Sequence, residues 1–232
     1  MKDIKNYYGI RNNNMVITYD SCNVKVITRV IEYIYHLKIR SVHMNQQSKM
    51  IGAVANFKQL DKAVKYKDKL ACVFVLFGNI NNLKMIVGQL KDEGIECYIH
   101  IDKIGSLKVD DYAFKFIRNN VGADGIVTTK AGYIKKAKNV GLKVVQRSFV
   151  VDNRMLDMVL AGLSKQKPDY LEIMPAITSY LIPEIRKAHD MDIIAGGLVD
   201  YPKVFDDALS DGGSFVSTSN VEMWKQYFNN DL

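Results

Sequence analysis

From Met50 onward, short runs of β-branched and apolar residues alternate with longer stretches whose apolar positions recur every three or four residues. That alternation is the pattern of repeated strand–helix units on a parallel sheet. The strand-like runs are 51–54, 72–77, 96–101, 125–129, 143–148, 170–174, 192–195 and 214–217. Helical patterns follow them at 57–69, 83–93, 111–119, 134–138, 155–165, 181–189, 204–209 and 221–228. Eight strands each followed by a helix predict a (β/α)8 barrel of the TIM type, since an open doubly wound sheet has fewer strands. Glycines at 94, 122, 141 and 212–213 precede strands, where a finishing helix needs a residue tolerant of positive φ. Pro183 falls in the first turn of its helix, where a missing N–H costs nothing.

Residues 1–49 do not share this pattern. They are rich in Asn, Tyr, Ile and Lys, and one amphipathic helix is expected over 24–40, with Ile27, Val30, Ile31, Ile34 and Leu37 at helical spacing. The barrel domain is expected at 50–232. The N-terminal region reads either as an added helix packed on it or as an extension upstream of a true start at Met44 or Met50.

The 232 residues, 48% hydrophobic and 25% charged, suit one globular domain. No run of eighteen apolar residues is present, and the N-terminus lacks the apolar core of a signal peptide, so a cytoplasmic protein without a membrane partner is expected. Cys22, Cys72 and Cys97 are not spaced as metal ligands or as a disulfide framework, and Cys72 and Cys97 read as thiols on neighbouring strands. The net charge of +7 invites a nucleic-acid reading, but residues 1–49 hold eight basic and three acidic residues, and 50–232 hold 24 and 22. Charge alone therefore does not make the barrel an RNA-binding protein.

In such barrels the working residues lie at the carboxyl ends of the strands, and phosphate is commonly held by the loops after strands seven and eight. Those loops here read Ala195-Gly196-Gly197-Leu198 and Ser217-Thr218-Ser219-Asn220. The glycines allow close backbone approach to an anion, and the second loop supplies hydroxyls and N–H groups at a helix start. Other strand ends carry His100 and Asp102, which alternation would put on one face, together with Lys130, Gln146, Arg147 and Glu172. This set could hold a polyol, or it could serve as an acid and base pair for proton transfer. No metal-binding string, nucleophile elbow or P-loop is present, and neither a metal nor a cofactor is expected.

The strings His100-Ile-Asp102, Val145-Gln-Arg-Ser-Phe-Val-Val-Asp152, Tyr170-Leu-Glu-Ile-Met-Pro-Ala-Ile177, Ile194-Ala-Gly-Gly-Leu198 and Ser217-Thr-Ser-Asn-Val-Glu-Met-Trp224 together resemble the glycerol uptake operon antiterminator family over residues 50–228. The resemblance implies a regulator, not an enzyme, that binds glycerol 3-phosphate and acts on the leader mRNA of a glycerol-metabolism operon. It implies that Gly196, Gly197, Thr218 and Ser219 hold the phosphate, and that His100, Asp102, Arg147 and Glu172 face the glycerol. Lys103 and the start of the first strand, Gly52-Ala53-Val54, depart from the family pattern. The alternative is a barrel enzyme acting on a phosphosugar or glycerophosphate ester, with Glu172 or Asp102 as base and His100 as acid.

Overall fold

The structure, a computed structural model, describes residues 48–226. The helix expected over 24–40 lies outside the described residues. Eight parallel strands pair in chain order and close between the first and the last. They are β1 (Met50–Val54), β2 (Cys72–Val75), β3 (Cys97–His100), β4 (Gly125–Thr128), β5 (Lys143–Phe149), β6 (Tyr170–Met174), β7 (Asp192–Gly196) and β8 (Phe215–Thr218). The helices are α1 (Phe57–Lys65), α2 (Leu83–Asp92), α3 (Asp111–Phe116), α4 (Ile134–Asn139), α5 (Asn153–Lys165), α6 (Ile182–Ala188), α7 (Pro202–Ser210) and α8 (Val221–Gln226). The expected (β/α)8 barrel is the fold.

Local chemistry sets the helix boundaries. Asn56, Asp110 and Asp152 accept hydrogen bonds from backbone N–H groups in the first turns of α1, α3 and α5, satisfying donors a helix start leaves open. At the other ends Gly94, Gly122, Gly141 and Gly212 all have positive φ, as their positions before strands required. Several expected elements are shorter in the structure. The helix expected to reach residue 69 ends at Lys65 and gives way to a 3-10 turn, and the helix over 111–119 changes to a π turn after Phe116.

Two apolar layers hold the molecule. Outside the sheet, helix residues such as Leu60, Ile86, Leu90, Phe205 and Trp224 pack on the outward strand residues. Inside, Phe74, Tyr98, Tyr170 and Phe215 meet edge to face, with ring centroids 5.8, 6.2 and 6.3 Å apart along the series. Edge-to-face contacts of this kind add about 0.5–1.5 kcal/mol each beyond burial. Cys72 joins this interior cluster while Cys97, on the adjacent strand, faces the helices; both are free thiols whose pKa is raised by burial. No helix among the described residues is long and apolar enough to cross a membrane.

Candidate ligand site at the barrel mouth

Five strands take one step of two residues from the apolar interior toward the carboxyl end. That step leads from Tyr98 to His100, from Val145 to Arg147, from Tyr170 to Glu172, from Ile194 to Gly196 and from Phe215 to Ser217. Because strand side chains alternate, each second residue stays on the inner face and stands one layer higher. The aromatic floor thus carries a polar layer, buried but for a few per cent of surface.

Arg147 and Glu172 are opposed in the β5–β6 register. Arg147 Nε donates to Glu172 Oε2 at 2.6 Å, and Ser217 Oγ donates to Glu172 Oε1, also at 2.6 Å. Glu172 has no exposed surface, so burying its charge would cost several kcal/mol without these partners. Both carboxylate oxygens are engaged, and Glu172 serves the site by holding Arg147 in place. Among the described residues the terminal Nη groups of Arg147 have no hydrogen-bond partner, which leaves donors for an incoming oxyanion.

Gly196 makes this arrangement possible. A Cβ there would lie 2.4 Å from Ser217 Oγ and 2.6 Å from Glu172 Oε1, so any side chain would displace the link between β8 and β6. His100 stands in the same layer, 4% exposed, with Nδ1 unpartnered among the described residues. Burial, reinforced by the Arg147 charge, lowers its pKa to about 4, so the imidazole is neutral at physiological pH and can donate from one nitrogen and accept at the other.

Asp102 does not share a strand face with His100, as alternation had suggested. Pairing of β3 with β4 ends at His100, and residues 101–103 form a 3-10 turn. From that turn Asp102 Oδ2 accepts from Thr128 Oγ1 at 2.8 Å and from Thr129 N at 3.1 Å, tying the loop after β3 to the loop after β4. Lys130 Nζ lies 3.5 Å from the other carboxylate oxygen, and Lys130 and Lys103 are exposed at this edge of the mouth.

The loops after β7 and β8 meet through Thr218. Gly197 and Leu198 both have positive φ, and Gly197 O accepts from Ala176 N at 3.0 Å, joining the loops after β6 and β7. Thr218 Oγ1 donates to Val199 O at 2.9 Å and accepts from Asn220 N at 3.0 Å, so this hydroxyl is committed to loop structure. Ser219 is exposed beside it, and its carbonyl accepts from Gln59 of α1.

The structure brings His100, Arg147, Glu172 and Gly196 together, with Asp102, Lys130, Gly197 and Ser219 on the rim. It does not bring Gln146 there. Gln146 is adjacent to two inward residues, Val145 and Arg147, and therefore faces the helix layer, where its Oε1 is buried. Ser217 is the member that reading the string for hydroxyls passed over in favour of its neighbours; counting two residues on from the inward Phe215 would have found it. A cleft of about 380 Å³ between the loop after β6 and α7, lined by Ile177, Tyr180, Asp207 and Asp211 among others, contains none of these residues. Among the described residues no group of three or more His, Cys, Asp or Glu could hold a metal ion.

Residues 50–224 match the family model described as glycerol-3-phosphate responsive antiterminator. The crystal structure of a glycerol uptake operon antiterminator regulatory protein from Listeria monocytogenes is 28% identical, covers 77% of this chain and 95% of its own, and superposes with a TM-score of 0.72. A glycerol uptake operon antiterminator-related protein from Thermotoga maritima is 27% identical, with 77% and 99% covered and a TM-score of 0.68. An uncharacterised protein of Escherichia coli K12, YgcP, is 28% identical over 183 residues, 79% of this chain and 95% of its own. A deoxyribose phosphate aldolase from Aeropyrum pernix, 14% identical with a TM-score of 0.61, shares the fold.

Proposed function

The chain belongs to the glycerol-3-phosphate responsive antiterminator family, and on that premise we propose that it binds glycerol 3-phosphate in the barrel mouth and then acts on the leader mRNA of a glycerol-metabolism operon to prevent early termination. The observation that carries the ligand reading is Arg147: a buried cation, fixed by Glu172 through Nε, whose terminal donors have no hydrogen-bond partner among the described residues. A planar guanidinium held at one nitrogen and open at the others is suited to a phosphate oxygen pair.

The rim supplies the remaining contacts. Gly197 and Ser219, in the loops after β7 and β8 where such barrels commonly hold phosphate, would add backbone and hydroxyl donors. Neutral His100 hydrogen-bonds a glycerol hydroxyl, and Asp102 keeps the β3 and β4 loops in register around it. Ligand occupancy favours the arrangement of these loops that engages the transcript, and its effect is bounded by its differential affinity for the two arrangements.

The test is calorimetric titration of the full chain with glycerol 3-phosphate, with glycerol and inorganic phosphate as controls, followed by product analysis. Micromolar binding of glycerol 3-phosphate alone, lost in Arg147→Ala and without turnover, is the expected result. No binding, or conversion of the ligand, would overturn the reading and return the chain to the barrel enzymes.

A further inference from the structure

Charge is unevenly distributed over the barrel. Residues 103–138 contain eight Lys or Arg and three Asp, a balance of +5, whereas 50–232 as a whole balance at +2, so the rest of that span is at −3. All eight of these cations are exposed. Lys136 pairs with Asp111 at 2.8 Å, Lys138 with Asp169 at 3.1 Å and Lys130 with Asp102 at 3.5 Å. Among the described residues Lys103, Lys108, Lys115, Arg118 and Lys135 form no ion pair, and their charge is open to a partner.

The segments of α3 and α4 lie side by side. Lys136 of α4 reaches Asp111 of α3, and the rings of Phe114 and Tyr133 meet at 5.5 Å between the same two segments. Arg118 stands over the turn that ends α4, its Nε 3.9 Å from the Cβ position of Gly141. Amid the cations Tyr112 is 78% exposed, more than any other large apolar or aromatic side chain described, and Lys115 Nζ lies 5.7 Å from its ring centroid. Cations alone would suit any polyanion. An exposed aromatic ring among them suits a polyanion that also carries planar bases free to stack, which is single-stranded nucleic acid.

We infer that the α3–α4 face is the surface on which this protein receives RNA, with Lys115, Arg118 and Lys135 contacting phosphates and Tyr112 stacking on an unpaired base. The inference rests on the antitermination reading above and adds the place of contact. It also puts the RNA beside the ligand site. The loops leading into α3 and α4 are the two that Asp102 ties together at the mouth, and they carry Lys103 and Lys130.

Fluorescence anisotropy with a labelled transcript of the host's glycerol-metabolism leader, in saturating glycerol 3-phosphate, tests it on the full chain. The triple variant Lys115→Gln, Arg118→Gln, Lys135→Gln is expected to bind at least about tenfold more weakly, with the slope of log affinity against log salt flattened by roughly 2, since each phosphate contact to a single strand contributes about 0.7. Tyr112→Ala is expected to weaken binding roughly tenfold. A control, Lys165→Gln with Lys187→Gln on the exposed faces of α5 and α6, should bind like the wild type. If the wild type binds and both α3–α4 variants match it, the RNA docks elsewhere and the antitermination reading stands while this inference falls. If the wild type itself ignores the transcript, both fall.

Discussion

Arg147 and Glu172 face each other across adjacent strands, 2.6 Å apart and almost wholly buried, with Ser217 completing the carboxylate from a third strand. A pair of this kind is costly to break and cheap to remove, because the cost lies in leaving one charge unpaired. Arg147→Ala should therefore lower stability by about 3–5 kcal/mol and abolish binding of glycerol 3-phosphate. Replacing both, Arg147→Met with Glu172→Leu, should recover most of the stability and none of the binding. Urea unfolding and calorimetry on the two variants check it; a single variant as stable as wild type would mean the carboxylate finds another partner.

Gly196→Ala should be more damaging than Gly197→Ala. At 196 the added methyl meets Ser217 Oγ and the Glu172 carboxylate, both fixed by hydrogen bonds, whereas at 197 it meets the mobile end of Met174 and suffers mainly from the φ of +75°. The expected losses are about 2–3 kcal/mol for overpacking at 196 and about 1 kcal/mol for the left-handed backbone at 197. Adding Ser217→Ala to Gly196→Ala should restore part of the loss, measurable by thermal unfolding.

His100 links acidity to stability. Its folded pKa of about 4 lies below the ordinary value of 6.5, so between those values the unfolded chain binds a proton that the folded chain refuses. Stability from this group is intact above pH 6.5, falls as pH drops toward 4, and falls no further below that; at 1.36 kcal/mol per unit the full loss is roughly 3 kcal/mol. His100→Gln should flatten that part of the stability profile. An imidazole titrating near 6.5 by NMR in the folded protein would contradict the assignment.

Asp102 holds two loops with a single carboxylate oxygen. Asp102→Ala leaves Thr128 Oγ1 and Thr129 N without their acceptor, and should cost about 1–3 kcal/mol. Amide exchange should accelerate in the loops after β3 and β4 and remain unchanged in the loops after β6 and β7, which are joined through Gly197 and Ala176. Uniform acceleration would mean that the rim moves as one body.

The barrel was legible because each strand is a short apolar run closed by a turn residue, and periodicity reports that directly. The end of β3 was not: Ile101-Asp102-Lys103 continues the alternation of the strand, yet β3 leaves β4 after His100 and enters a 3-10 turn while β4 runs on to Thr128. Gln146 and Arg147 show the same limit in another form. Neighbouring polar residues on a strand must face opposite ways, but the sequence alone does not say which faces in until one inward residue is known. The ion pairs of Lys136 with Asp111 and of Lys138 with Asp169, each partner distant in the chain, likewise depend on how the helices pack.

The floor of the mouth is electrically balanced. Arg147 and Glu172 cancel, and His100 carries no charge at neutral pH. A phosphate monoester bound there as proposed, carrying about −1.5 to −2 at pH 7, would therefore bring an uncompensated negative charge into a site of low polarisability. Lys103 and Lys130 are exposed cations on the two loops that run on into α3 and α4. On the proposed reading, an occupied mouth would draw those lysines inward, and the field felt at the neighbouring helices would change with it.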